Sequence, residues 1–358
     1  MLRDDLGMEA SQRSTSGATL TAIEAPDREG RFANIVLNRP DIAAYETNRR
    51  RYGAVIGRYA GGITDARFTL DGATHALEAG RNNVTLHGGS RGYDKRVWSS
   101  EAISDRRSVG VRYHLLSPAG DQGFPGALRV TVSYRLMRKT NALQVEYVAR
   151  TNAPTVVNFT NHAFFNLAGA GAGTIADHRV WIDADRYAEV DAREAPTGLL
   201  PPVTGTVLDF TTPRRVGDVL RVDDPLLASS NGFDHSLVLR QAVPPRTAAG
   251  CRWVEDPASG LPHDGADHGA LRPVQQRQRF RRWRDRLGGR GLSSLRRPRL
   301  RDPAPAGQPQ PARLPVDRLT AEPGVPVNNH PAFLALSGVE SGARGLGSRH
   351  LFLGPLGR

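Results

Sequence analysis

The stretch from residue 17 to residue 260 alternates apolar and polar residues in short runs, and this periodicity constrains the fold most strongly. Residues 127–136 and 143–150 are two such runs, and residues 139–142 between them are suited to a hairpin turn. Alternation of this kind is typical of strands with one buried face, whereas long helical periodicity is absent. The pattern predicts an all-β fold, a large antiparallel β-sandwich whose loops carry the chemistry.

Composition narrows the class of protein further. The 358 residues are 39% hydrophobic without a run long enough to span a membrane, which favours one large or two ordinary domains with a proper core. The single cysteine, Cys251, excludes an internal disulfide framework and a cysteine-built zinc site. Residues 1–5 lack the apolar stretch of a signal peptide, so we expect a cytoplasmic protein.

The positive charge is distributed unevenly along the chain. Residues 261–358 hold 17 arginines, no lysine and seven acidic residues, so +10 of the total net charge of +12 lies in this tail. The tail is also rich in proline and shows neither strand nor helix periodicity, which predicts disorder. We therefore expect an N-terminal segment at 1–16, a β-sandwich domain at 17–260 and a disordered tail at 261–358.

Histidines beside small, amide or aromatic residues mark the candidate site. They occur in the segments 81–98, 158–169 and 232–239, and a fourth notable segment, 52–63, is rich in glycine. A single histidine in such a place is more often a structural hydrogen-bonding residue than a catalyst. Three of them in one β domain favour a site for a polar ligand.

These segments closely resemble the aldose 1-epimerase, or galactose mutarotase, family over residues 17–260. The motifs that carry the resemblance occur in order along the chain: Leu86-His87-Gly88-Gly89, residues 161–167, 183–187, 196–198 and 205–210, and Phe233-Asp234-His235. The resemblance implies a galactose mutarotase-like sandwich that binds a hexose in an open cleft and interconverts its α and β anomers.

The resemblance also implies roles for single residues. In this chemistry a general base removes the proton of the C1 hydroxyl while a general acid protonates the ring oxygen, and the ring opens. By position, His162 corresponds to the acid, and His87 and Asp234 correspond to residues that bind sugar hydroxyls. Histidine suits the acid because its ordinary pKa lies near neutrality. The implied partner is a small hexose, with no metal, organic cofactor, nucleic acid or membrane.

Two departures from the family pattern stand out. The family has Asn-Arg where this chain has Gly61-Gly62, and glycine cannot donate the hydrogen bonds of the sugar-binding arginine. Weaker sugar binding is expected unless Arg58 or another arginine substitutes. In addition, the glutamate that serves the family as base has no counterpart in residues 261–358.

The genetic code offers an explanation for the tail. If each codon from residue 301 to residue 315 is read one nucleotide late, the codons permit Glu-Thr-Gln-His-Leu-Pro-Asp followed by Ser-Pro-Asn-Gln-Pro-Ala-Phe, which resembles the family motif around the base. Residues 267–281 and 327–333 permit two further family-like segments in the same way. We hypothesise a single-nucleotide slip between residues 260 and 262, arising either from a sequencing error or from a real mutation.

Two other functions remain open from the sequence. A non-catalytic carbohydrate-binding module would retain the sandwich and lack the base. A nucleic-acid-binding protein would use the arginine-rich tail as an electrostatic arm, although no aromatic stacking motif accompanies the arginines.

Overall fold

A computed structural model describes residues 2–3, 5, 7, 9–11, 16–47, 50–230, 232–239 and 252–260, and the backbone of a strand at 275–282. The described strands are β1 (Leu2–Arg3), β2 (Glu9–Ser11), β3 (Ala22–Pro26), β4 (Phe32–Asn34), β5 (Val55–Ile56), β6 (Gly62–Ile63), β7 (Arg67–Leu70), β8 (Ala73–Ala76), β9 (Thr85–Leu86), β10 (Ser99–Ser104), β11 (Ser108–Ser117), β12 (Leu128–Met137), β13 (Ala142–Thr151), β14 (Thr160–Asn161), β15 (Arg179–Ile182), β16 (Ala184–Ala188), β17 (Arg214–Arg215), β18 (Ser236–Leu239), β19 (Arg252–Glu255) and β20 (Gln275–Arg282). The described α-helices are α1 (Ile42–Glu46), α2 (Val216–Leu220) and α3 (Pro225–Ser230).

The predicted β-sandwich is confirmed. Strands β10 to β13 form an antiparallel meander, and β20 joins its edge in parallel with β13. Strands β1 to β4 form a second sheet, β17, β15 and β19 a third, and the remaining strands pair two by two. The predicted hairpin is present, because β12 and β13 pair with Leu136 opposite Leu143. None of the described helices is long and apolar enough to cross a membrane.

Aromatic side chains connect the central sheet to the segments that carry the histidines. Tyr147 of β13 stacks on Phe159 with ring centroids 5.8 Å apart, and Phe159 stacks on Tyr93 at 6.1 Å. All three side chains are buried. This packing holds the segments before β14 and after β9 against one side of the sheet, so their ends are fixed relative to each other.

Two expected boundaries differ from the structure. The domain was expected to begin at residue 17, but β2 pairs with β3 and buries Ala10 completely, so residues 9–11 belong to the second sheet. The tail was expected to lack strands, but β20 lies within it. The rest of the expected disordered tail, and the shifted segment at 301–315, lie outside the described residues.

Candidate active site

Backbone pairing with the glycine-rich segment positions His162 at the end of β14. The N–H of Gly53 donates to the carbonyl of His162 at 2.9 Å, and the N–H of His162 donates to the carbonyl of Ala54 at 2.8 Å. Gly53 and Ala54 together therefore face His162 at the end of the β5–β14 pairing. The imidazole therefore projects from a rigid backbone rather than from a free loop.

The buried side chain of Asn161 fixes the same segment from within. Its Nδ2 donates to the carbonyl of Gly53 at 2.7 Å and to the hydroxyl of Tyr134 at 2.9 Å, while its Oδ1 accepts from the N–H of Ala163 at 3.0 Å. Tyr134 in turn donates to the carbonyl of Ala18 at 2.9 Å. A buried amide satisfied on both ends holds the residues on either side of His162.

A strained turn after β9 presents His87. Its φ of +55° lies in the left-handed region, which histidine tolerates better than most residues at a cost of about 1–3 kcal/mol. The N–H of His87 donates to the carbonyl of Gly61 at 2.9 Å, and the N–H of Gly61 donates to Nδ1 of His87 at 3.0 Å. Because Nδ1 accepts, the ring proton resides on Nε2, which is left to donate to a ligand.

The following residue, Gly88, explains why this turn needs glycine. Its φ is +84°, and a Cβ at this position would lie 2.0 Å from the carbonyl oxygen of Gly57. Any larger residue would push the turn away from the glycine-rich segment. In the motif that begins at Leu86, the backbone of the turn therefore requires the glycine, and the histidine supplies the imidazole.

The structure brings His87 and His162 together. Their rings meet edge to face with centroids 5.4 Å apart and an interplanar angle of 80°. Phe164, which is buried, also packs against the ring of His162, with ring centroids 5.1 Å apart. The two predicted histidines thus lie together although they are 75 positions apart in the sequence.

The surroundings of His87 keep it neutral. Burial lowers its pKa to about 3, and the positive charges of Arg51 and Lys95 lower the pKa further in the same direction. At neutral pH the imidazole of His87 is a hydrogen-bond donor and cannot supply an acidic proton.

Asp234 lies on a different loop, between α3 and β18. Its neighbours Phe233 and His235 are buried anchors, whereas Asp234 itself is exposed. Protein atoms around the carboxylate remove part of its hydration and raise its pKa, and the negative charge of Glu194 raises the pKa as well. His235 packs edge to face on Tyr187 at 6.4 Å, and burial lowers its pKa to about 4.

The described contacts connect Asp234 to the histidine pair only indirectly. Glu194, whose charge acts on Asp234, belongs to the loop that contains Pro196. A Cβ at Gly62 would lie 3.2 Å from Pro196, and Gly62 pairs with Leu86, the residue before His87. Asp234 therefore borders the same region through this loop, without a described contact to either imidazole.

The suggestion that Arg58 could replace the absent sugar-binding arginine is wrong. The side chain is buried, with 2% of its surface exposed, and Phe124 lies 5.6 Å from its guanidinium carbon. Its hydrogen bonds go to acceptors inside the protein: the carbonyls of Ser117, Pro118, Pro125 and Gly126 and the hydroxyls of Ser117 and Thr155. A guanidinium committed in this way is not available to a ligand.

His178 is a supporting residue that the sequence reasoning missed. It is completely buried, and its Nε2 accepts from the N–H of Leu167 at 2.9 Å, which fixes the far end of the segment that carries His162. Its position between Asp177 and Arg179 gives no signal of burial. By contrast, Asn161 lies inside the family-like motif at residues 161–167, and asparagine is a residue type that commonly hydrogen-bonds to backbone in turns.

Comparison with known proteins agrees with this geometry. A family profile described as aldose 1-epimerase matches residues 2–258. The chain belongs to the aldose 1-epimerase family. It is 38% identical to the galactose mutarotase of Rattus norvegicus over 244 residues, which cover 68% of this chain and 67% of the rat protein. It is 35% identical to the aldose 1-epimerase of Escherichia coli K12, covering 71% of this chain and 72% of that protein.

A solved structure shows the same fold as this aldose 1-epimerase family member. The galactose 1-epimerase of Lactobacillus acidophilus NCFM superimposes with a TM-score of 0.62 at 28% identity, covering 71% of each chain. The family assignment places this chain among the isomerases that interconvert the α and β anomers of aldoses.

Proposed function

We propose that this chain derives from a cytoplasmic aldose 1-epimerase for hexoses, with His162 as general acid and His87 and Asp234 as sugar-binding residues. The observation that supports this assignment best is the edge-to-face pair of His87 and His162, 5.4 Å apart. One of the two rings is held neutral with its Nδ1 already occupied. Only the other ring, His162, is then suited to deliver a proton.

Ring opening needs one proton donated and one removed. The protonated imidazole of His162 gives its proton to the ring oxygen as the bond between C1 and that oxygen breaks. A carboxylate takes the proton of the C1 hydroxyl, and the electron pair of that O–H bond forms the aldehyde carbonyl. Rotation about the bond between C1 and C2 and the reverse proton transfers give the other anomer, with no net change in either group.

Sugar binding on this proposal uses one neutral donor and one carboxylate acceptor. Nε2–H of His87 donates to a sugar hydroxyl oxygen, and Asp234 accepts from a hydroxyl. Both groups belong to short segments between buried residues, so little conformational entropy is lost when a sugar binds.

The carboxylate base is the component that the written tail lacks. We propose that residues 261–358 are an out-of-frame translation and that the shifted reading at Arg301-Asp302 supplies the glutamate. The end of the family match at residue 258 supports a slip close to this point. Resequencing the coding DNA tests the proposal directly: an intact frame whose codons forbid glutamate at this position would overturn it.

Polarimetry on freshly dissolved α-galactose or α-glucose tests the activity of the written chain. Because the base is absent, we expect little or no mutarotation above buffer, and a rate typical of an enzyme would contradict the assignment of the base. Calorimetric sugar binding without anomer exchange, in a chain whose frame is restored after residue 260, would instead support a non-catalytic carbohydrate-binding module.

A further inference from the structure

Gly62, beside the turn of His87, stands where the family has its sugar-binding arginine, so this position supplies no positive charge. Gly61 and Gly62 run along β9 next to His87 and contribute only backbone. Arg58, the nearest arginine in the same motif, is buried with its guanidinium committed to internal acceptors. A cation for this side of the site must therefore come from another segment.

Arg51 belongs to a segment that borders the histidine pair. Two residues later, Gly53 donates its N–H to the carbonyl of His162 at 2.9 Å. The ring of Tyr52, which follows Arg51 directly, packs on Phe164 with ring centroids 5.0 Å apart, and Phe164 packs on His162 at 5.1 Å. Residues 51–53 thus form one wall beside the general acid.

A buried carboxylate anchors the Arg51 side chain. Its Nε lies 3.3 Å from Oδ2 of Asp94, and the two side chains are 21% and 3% exposed. Lys95 contacts the same Oδ2 at 2.8 Å. The ion pair with Asp94 lies on the Nε side of the guanidinium without forming a hydrogen bond there, and among the described residues the two terminal nitrogens have no hydrogen-bond partner either.

The anchor lies directly beside the turn that presents His87. A Cβ at Gly92 would lie 2.6 Å from the carbonyl oxygen of His87 and 2.9 Å from Oδ1 of Asp94. Asp94 and the His87 backbone therefore face the same glycine. The charges of Arg51 and Lys95 also contribute to the lowered pKa of His87, as expected for cations close to that ring.

We propose that Arg51 is a sugar-binding residue, whose terminal nitrogens donate to two neighbouring hydroxyls of an aldose bound against His87. This inference rests on the proposed function of the site. The planar fork of a guanidinium suits two adjacent oxygen atoms, and the ion pair with Asp94 keeps the guanidinium close to this carboxylate before the sugar arrives. Arg51 then supplies the hydrogen bonds that Gly62 cannot.

The test uses the chain whose frame is restored after residue 260, because the chain as written is expected to aggregate, and measures binding of D-galactose and D-glucose by calorimetry and ligand-observed NMR. Arg51→Gln removes the cation, Arg51→Lys retains the charge and the ion pair but loses the fork, and Arg221→Gln is the matched control. Arg221 is 68% exposed and pairs only with Asp218 among the described residues. Lys95 still neutralises Asp94 in Arg51→Gln, so we expect that variant to fold.

We expect Kd to rise about tenfold or more in Arg51→Gln, to rise by a smaller factor in Arg51→Lys and to stay unchanged in Arg221→Gln. If the parent binds sugar and Arg51→Gln binds it equally well, the role of Arg51 is refuted while the proposed function stands. If Arg51→Lys binds sugar with the same Kd as the parent chain, the two-hydroxyl geometry is refuted, and this holds even if Arg51→Gln does not fold. A parent chain that binds neither sugar would overturn both proposals.

Discussion

At the residue scale, the site combines two imidazoles with different environments. His87 is fixed by Gly61 and kept neutral by burial and nearby cations, whereas His162 is held by its backbone hydrogen bonds and packs against the ring of His87. The motifs identified both histidines from the sequence. Their contact could not be predicted, because it depends on the pairing of strands only two residues long, which carry no periodicity.

Restoring the missing arginine should improve sugar binding. A Cβ at Gly62 would lie 3.1 Å from Cγ1 of Val84 and 3.2 Å from Cδ of Pro196, so the neighbours must yield by a few tenths of an ångström. We expect Gly62→Arg to lower the Kd for D-galactose about threefold to tenfold, because a guanidinium adds hydrogen bonds beside His87. Gly62→Ala is the matched control with the same Cβ, and an equal Kd in both variants would contradict this prediction.

Buried His178 should make stability depend on pH. Its pKa is lowered to about 4 by burial, against the opposing charges of Asp256 and Asp177. As the pH falls, the unfolded chain therefore binds the proton before the folded chain does. The contribution of neutral His178 to the free energy of unfolding is complete above pH 6.5 and is lost as the pH falls from 6.5 through 4. His178→Gln keeps an acceptor for Leu167 and removes the titration.

Urea unfolding at pH 7 and pH 4 measures this effect. The parent chain should lose up to about 3 kcal/mol more unfolding free energy than His178→Gln between these values. The same loss in both chains would show that His178 does not carry the pH dependence.

At the element scale, Arg58 connects the glycine-rich segment to the ends of β11 and β12. Its guanidinium donates to acceptors at Ser117, the last residue of β11, and at Gly126, two residues before β12. Burial of this arginine was not predictable from the sequence, where it follows a glycine in a motif that suggested ligand binding. The acceptors are supplied by loops distant in sequence, so only the assembled fold explains its role.

Replacing Arg58 should destabilise the domain strongly. Arg58→Leu leaves several buried carbonyls without a donor, and we expect a loss of about 3 kcal/mol or more in unfolding free energy. Arg67→Leu is the control, because Arg67 is 67% exposed and its ion pair with Asp65 is long at 3.9 Å. Similar urea midpoints for the two variants would contradict the structural role of Arg58.

The larger strands were predictable for a simple physical reason. Strands β11, β12 and β13 bury one face, so apolar and polar residues alternate along them and indicate a strand from the sequence. The hairpin between β12 and β13 followed from the same pattern. The placement of residues 9–11 in a sheet did not, because a three-residue strand contributes almost no alternation.

At the scale of the whole molecule, the completeness of the sandwich depends on the sequence of the tail at residues 261–358. A chain deprived of its last strands exposes sheet edges and unfinished core, which favour aggregation. We therefore expect the written chain to elute largely as aggregates in size-exclusion chromatography, and the frame-restored chain to elute as a defined species at the same concentration. Equal behaviour of the two would show that residues 261–358 do not limit folding.

The proposed mechanism requires that His162 delivers a proton and that a carboxylate base is encoded in the shifted frame of residues 261–358. Polarimetry of α-galactose with the frame-restored chain and with its His162→Asn variant measures whether His162 has this role. We expect the restored chain to catalyse exchange and the variant to be about 100-fold slower or more. Undiminished exchange in His162→Asn would refute the role of His162 as general acid.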